Sequence, residues 1–169
     1  MYIIGIINWS KNLNEKYFVE ISCGSGPRHL CFSKDGRYFY CVNELSNDVS
    51  VLEWNNGEPI LKGSYSAIPH FEGESTAETI RMKDNYLYIS NRGANTISRF
   101  EIIDDKLKLL DNTYCGGAGP RDFNIIDDYI ICANENSNSV TVLKLEKDKP
   151  VLTNEQLEIG SPVCVIGGM

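Results

Sequence analysis

The stretch "GPRHLCFSKDGRYFYCVNE", residues 26–44, sets Arg28 and His29 before one apolar run and Asn43 and Glu44 after the next. A guanidinium fork binds carboxylate or phosphate and can hold an oxyanion, while a carboxylate or imidazole pulled towards neutral pH can activate water. Two later stretches repeat the arrangement with other charges: Thr76 and Glu78 before, Asn91 and Arg92 after, then Arg121 and Asp122 before, Asn134 and Glu135 after. If the two runs of each copy are antiparallel neighbours, the start of one lies beside the end of the other, and all these groups share a rim. Such a set suits acyl transfer on an anionic substrate. Arg28, Glu44, Arg92 and His29 are the candidate catalytic groups, and Asn43, Glu78, Asn91, Arg121 and Asn134 the candidate substrate-binding residues. The structural alternative is that the asparagines close turns through the backbone, and that Arg28 and Arg121 pair across strands with Glu44 and Glu135, a contact worth little when exposed. His70, in "IPHFEGEST", falls in a connecting loop.

The elements that must position these groups form a repeat. "YFYCVNELSNDVSVLEW" (38–54), "NYLYISNRGANTISRFEI" (85–102) and "YIICANENSNSVTVLKLE" (129–146) each read as an apolar run, Asn, three residues, a second Asn, and an alternating run. They recur at roughly 40–50 residues, the length of one four-stranded propeller blade. "YFYCV", "YLYIS" and "YIICA" are apolar on both faces, as strands between neighbouring sheets should be, and the runs after them alternate as strands nearer an outer rim do. With strands expected at "HLCFS" and "PILKGSYSA", and at the matching places of the other copies, the chain is all-β. It reads as a partial β-propeller domain with about three complete blades: 1–25 ends a preceding blade, 26–70, 71–117 and 118–160 are blades, and 161–169, "SPVCVIGGM", holds a closing strand. The first strand of a blade is innermost, so the rim groups crowd towards the axis as a ring of alternating arginines and carboxylates at a channel mouth. Propellers close to hide their sheet edges. A half-ring therefore predicts a homodimer about a two-fold axis, or a complex with a complementary N-terminal half.

Composition narrows the partners. Among 169 residues, 16 Lys and Arg face 23 Asp and Glu, and the net charge of −7 repels nucleic acid and anionic membranes. Any arginine that binds an anion must do so locally. Six cysteines without a C-x-x-C pair sit mostly in apolar runs and read as reduced, buried thiols. "MYIIGIINW" lacks the basic start and cleavage site of a signal peptide, and no run is long enough to span a bilayer, so a soluble cytoplasmic protein is expected. No G-x-G-x-x-G, Walker loop, H-E-x-x-H or G-x-S-x-G occurs, and no metal or cofactor is expected.

"GSGPRHLCFSKDGRYFYCVNELSNDVSVLEW", "STAETIRMKDNYLYISNRGANTISRFEI", "GGAGPRDFNIIDDYIICANENSNSVTVLKLE" and the closing "SPVCV" resemble the seven-bladed propeller lactonases, the group named for bacterial 6-phosphogluconolactonase. The resemblance covers essentially the whole chain and corresponds to the C-terminal half of such proteins. It implies hydrolysis of a small anionic sugar lactone, 6-phospho-D-glucono-1,5-lactone to 6-phosphogluconate in the pentose phosphate route. It places the "GPRH" arginine, the "NE" glutamate and the "NRG" arginine, here Arg28, Glu44 and Arg92, on the active-site rim. Arg28 and Arg92 would hold the substrate anion and the oxyanion, Glu44 would take a proton from water or orient a base, and His29 is the reserve base. The family's further histidine comes from an earlier blade that this sequence does not include. Two alternatives stand beside hydrolysis: a muconate-type lactonising isomerase, as in fungal relatives, and a non-catalytic propeller fragment that binds a ligand or protein.

Overall fold

Short apolar runs punctuated by Asn, Asp and Gly favour strands joined by tight turns over helices. The computed structural model describes residues 2–9, 13–56 and 58–167, with side chains from Tyr17 onward, and these form strands without a helix. An antiparallel pair, β1 (Tyr2–Trp9) and β2 (Leu13–Ile21), precedes three four-stranded antiparallel sheets. The first holds β3 (Pro27–Phe32), β4 (Tyr38–Asn43), β5 (Asp48–Asn55) and β6 (Glu58–Ser66). The second holds β7 (Thr76–Lys83), β8 (Tyr86–Arg92), β9 (Thr96–Ile103) and β10 (Lys106–Tyr114), and the third β11 (Pro120–Ile126), β12 (Tyr129–Asn134), β13 (Ser139–Glu146) and β14 (Lys149–Glu158). Each sheet is a meander in chain order, with β3, β7 and β11 side by side at the centre.

The stacking follows from the doubly apolar second strands. Tyr40, Val42, Val49 and Val51 of the first sheet meet Ala77, Ile80, Leu87, Ile89 and Phe100 of the second in one buried cluster. Tyr88 and Ile97, on the other face of the second sheet, meet Phe123, Ile130, Cys132 and Leu143 of the third. Phe39, Cys41 and Leu52 turn back towards Val19 and Ile21 of β2. Each large side chain buried in this way contributes about 1.5–3 kcal/mol, so the inter-sheet layers are what fix the central strands in place.

The paired asparagines do two jobs. Asn43, Asn91 and Asn134 are fully buried and donate from Nδ2 to a hydroxyl of the next strand in their own sheet: Ser50 at 2.8 Å, Ser98 at 2.7 Å and Thr141 at 2.9 Å. Asn47, Asn95 and Asn138 take left-handed φ values of 53°, 56° and 51°, which an Asn tolerates in a turn. Their side chains staple neighbouring segments: Asn47 Nδ2 donates to Ser75 O at 2.6 Å, Asn95 Oδ1 accepts from Gly119 N at 2.8 Å, and Asn138 Oδ1 accepts from Ser161 N at 2.9 Å.

Two expectations need correction. The candidate substrate-binding asparagines Asn43, Asn91 and Asn134 are enclosed within their sheets at 0 % exposure, each bound to a hydroxyl of the next strand, so none reaches the cleft surface. The closing strand expected in 161–169 joins no ladder over its described residues, 161–167; a first strand pairs with the second strand of its own blade, which these 169 residues do not include. One backbone bond from this tail, Val165 N to Asp122 Oδ2 at 2.9 Å, ties it to β11. Of the thiols, Cys41, Cys115 and Cys132 are buried and Cys31 is partly so, whereas Cys23 and Cys164 are exposed.

Candidate active site

A bulge at the start of each central strand aims the rim residues. The β3–β4 register runs from Pro27 opposite Asn43 to His29 opposite Val42, skipping Arg28. On β7 it jumps from Ala77 to Ile80, skipping Glu78 and Thr79, and on β11 from Pro120 to Asp122, skipping Arg121. A bulge leaves its extra residue out of the ladder and bends the strand. Here the extra residues are Arg28, Glu78, Thr79 and Arg121, three of them charged members of the rim.

These charges form one continuous arc across the three sheets. Glu44 Oε2 lies 3.6 Å from Arg28 Nε, and Arg28 Nη2 lies 3.0 Å from Glu78 Oε2 while its Nη1 donates to Glu78 O at 2.7 Å. Glu78 Oε1 accepts from Thr76 Oγ1 at 2.9 Å and faces Arg92 Nη1 at 3.8 Å. Arg92 Nη2 continues to Glu135 Oε2 at 3.1 Å, which also meets Arg121 Nη1 at 3.3 Å. Glu78 is 1 % exposed, so it sits beneath the arginines as their anchor, away from the surface a substrate would touch. Glu44 and Arg121, at the two ends of the arc, each have 37 % of the side chain exposed.

Inside this rim lies an open cleft of about 460 Å3, lined by Arg28, His29, Thr79, Arg81, Arg121, Asp122 and Val163. His29 lies against Arg81, whose Nη1 is 3.1 Å from Nε2 and 3.3 Å from Nδ1. Arg81 Nη2 donates to Asp122 Oδ1 at 3.2 Å, and Thr79 Oγ1 donates to the same oxygen at 3.0 Å. Burial, then the Arg81 cation, holds the His29 imidazole below its ordinary pKa; Asp122 works the other way and Arg28 adds to the lowering. A second cleft of about 390 Å3 on the opposite rim includes Lys34, Asp35, Asp84 and Asp104 in its lining, with the exposed Lys34–Asp84 pair at 2.9 Å.

The expected rim is therefore assembled from Arg28, Glu44, Glu78, Arg92 and Arg121, with His29 inside it. His70 lines a separate small cleft with Ile68, Pro69, Phe71, Ala94, Thr96 and Asn112. Sequence reasoning missed Arg81 and Thr79. The signal was present in "ETIRM", where a charged residue sits between Ile80 and Met82 in a strand that must be innermost. Among the described residues no cluster of three or more His, Cys, Asp or Glu is placed to hold a metal ion.

Comparison with known proteins agrees with this architecture. An uncharacterised protein of Staphylococcus epidermidis is 41 % identical over 157 residues, covering 83 % of this chain and 44 % of its own length. A solved structure of a Lactobacillus plantarum protein superposes with a TM-score of 0.91 at 29 % identity, over 96 % of this chain and 51 % of that one. The periplasmic gluconolactonase PpgL of Pseudomonas aeruginosa superposes with a TM-score of 0.81 at 30 % identity, over 87 % of this chain and 44 % of that one. The chain thus spans about half the length of the relatives it matches. Residues 2–166 match the family described as "Lactonase, 7-bladed beta-propeller", and the chain belongs to that family.

Proposed function

We propose that this chain carries the substrate rim of a sugar lactonase and that its substrate is 6-phospho-D-glucono-1,5-lactone. The observation that carries this reading is the arc of three arginines and three carboxylates around the axial cleft. Opening a lactone needs a donor for the oxyanion of the tetrahedral intermediate, a base for the attacking water, and a proton for the departing ring oxygen. Arg28 has five N–H groups; Nε faces Glu44 while Nη1 and Nη2 each meet Glu78, and the second hydrogen of each Nη is left for an anion. Arg92 is held in the same way by Glu78 and Glu135. Glu44, with one partner and an exposed carboxylate, and His29, inside the cleft, are the two groups able to take the proton from water. Support for the phosphorylated sugar comes from these arginines and from a 26 % identical structural neighbour in Bacteroides uniformis, provisionally named a 6-phosphogluconolactonase.

The same reading includes a partner, a second copy of this chain or a complementary set of blades. Its support is exposed apolar surface, Leu30 and Phe32 on the innermost strand β3 and Ile126, Tyr129 and Leu157 on the last sheet.

The test is the hydrolysis rate of 6-phosphogluconolactone in a pH-stat, corrected for spontaneous opening. Arg28→Ala and Glu44→Ala should each lower it by about 10²-fold or more, the scale seen on removing an oxyanion donor. Variants as fast as the parent, or a parent no faster than the spontaneous reaction, refute the reading.

A further inference from the structure

The cleft inside the rim holds an arrangement that the arc of ion pairs does not use. Three successive central strands each contribute one member: His29 from β3, Arg81 from β7 and Asp122 from β11. Asp122 is the fixed end. It is buried, its Oδ1 accepts from Thr79 Oγ1 at 3.0 Å and from Arg81 Nη2 at 3.2 Å, and its Oδ2 accepts from Val165 N at 2.9 Å. Arg81 is held from several sides. Nη2 meets Asp122, Nη1 donates to Ile80 O at 3.1 Å, and the guanidinium lies 6.0 Å from the centre of the Phe123 ring. What remains of Nη1 points at the His29 ring, 3.1 Å from Nε2 and 3.3 Å from Nδ1.

Donor and acceptor chemistry constrains that contact. A guanidinium nitrogen only donates, and a protonated imidazole has two donors and no acceptor. Two cationic groups at this distance repel, so the approach of Arg81 favours the neutral His29 ring over the imidazolium. The other charged groups around the ring are Arg28 on its own strand and Arg121 across the cleft, both cations, with Asp122 the carboxylate, already committed to Arg81; the β4 residue opposite is Val42.

We propose that Arg81, clamped by Asp122, which Thr79 in turn holds, is a positioning residue that presents His29 to the axial cleft as the proton acceptor for the attacking water, in preference to Glu44. The assignment rests on the lactonase reading for its chemistry. Water adds through oxygen to the lactone carbonyl carbon and gives one proton to His29. The ring carbon–oxygen bond then breaks, and the imidazolium, disfavoured beside Arg81, passes that proton to the departing oxygen. The product is the hydroxy acid, and His29 returns to its free-base form. Glu44 orients Arg28 in this scheme.

Only two histidines, His29 and His70, are present, so imidazole nitrogen signals assign readily. The experiment is a pH titration of the ligand-free chain by 1H–15N NMR, with parent, Arg81→Met and Arg81→Lys, each checked for a native amide spectrum. Arg81→Met should move the His29 midpoint upward and leave His70 in place, and Arg81→Lys, which keeps the charge, should restore part of the parent value. A His29 midpoint that stays or falls in Arg81→Met overturns the positioning role. This reading needs no turnover, so its failure is separate from failure of the lactonase reading. In the hydrolysis assay, the acid limb of kcat/KM should shift upward with the NMR midpoint in Arg81→Met. A limb that does not move while the NMR midpoint does overturns the base assignment and gives that role to Glu44.

Discussion

Glu78→Gln removes one charge beneath the rim while keeping the side chain's shape. The native carboxylate is 1 % exposed, lies 3.0 Å from Arg28 Nη2 and 3.8 Å from Arg92 Nη1, and accepts from Thr76 at 2.9 Å. Breaking a fully buried ion pair on one side costs about 3–5 kcal/mol. The two arginines keep 28 % and 29 % of their side chains exposed, so water recovers part of that loss. The glutamine carbonyl can still accept from Thr76, but its amide places N–H groups against a guanidinium. Hydrogen bonds to charged groups are worth about 1.5–3 kcal/mol, and a net cost of roughly 2 kcal/mol follows. In a domain of this length 1 kcal/mol moves Tm by about 2–4 °C, so thermal melting followed by circular dichroism should drop by about 4–8 °C. The difference should shrink in high salt, since the arginines are partly solvated. An unchanged or raised Tm would mean that the arginines are oriented without Glu78, and the anchoring argument would fail.

Gly93→Ala should destabilise the rim sharply: φ is +94° and an added Cβ would stand 2.2 Å from Glu74 O and 3.0 Å from Ser75 Cα, both backbone. A loss of at least about 1–3 kcal/mol is expected, read as a lower urea midpoint at unchanged slope. His29 gives a pH signature. Its native pKa lies below 6.5, so as pH falls from 6.5 towards the native value the unfolded chain binds a proton that the folded chain refuses, and stability declines with acid. His29→Gln should remove that part of the slope in urea midpoints measured across this window; an identical slope would contradict the free-base assignment.

Much of the architecture is legible in the sequence because burial on both faces leaves a plain trace. β4 and β12 coincide with the expected runs 38–43 and 129–134, each bounded by a turn residue and filled with apolar ones, and β13 with the alternating run 139–146. The rim is legible for a related reason: antiparallel neighbours join the start of one strand to the end of the next, so Arg28 had to lie near Glu44. Register irregularities left no such trace. Nothing in "GPRHL" or "AETIR" marks a bulge, although the bulges decide which side chain leaves the ladder. Burial of hydrogen-bonding groups was equally hidden. Asn91 and Glu78 look like ligand contacts as letters, and both are enclosed: Asn91 donates to Ser98, and Glu78 accepts from Thr76 and meets Arg28 and Arg92. Arg81 was overlooked for the converse reason, as a charge inside a strand whose partner Asp122 comes from the next sheet, a contact that no local pattern encodes.

The arc of charges also bears on assembly. Its inner members, Arg28, Glu78, Arg92 and Glu135, each touch two opposite charges, whereas its ends, Glu44 and Arg121, each have one ion-pair contact, at 3.6 Å and 3.3 Å. The ends are opposite in sign. A two-fold axis along the channel would bring the last sheet of one copy towards the β1–β2 pair and the exposed part of β3 at the leading end of another, and Arg121 of one towards Glu44 of the other. The apolar surfaces match in the same sense. Leu157, 62 % exposed, lies across the ladder from Val140 on the outward face of the last sheet, and Phe32, 63 % exposed, stands on β3 at the leading end. Leu157→Asp tests this pairing without disturbing the fold, because the side chain it replaces is already in water in the single chain. Light scattering should give twice the chain mass for the parent at micromolar concentration and the single-chain mass for Leu157→Asp, with the melting curve of a folded protein. A parent that stays monomeric, or a variant that dimerises equally well, would remove the second copy as the partner for these edges.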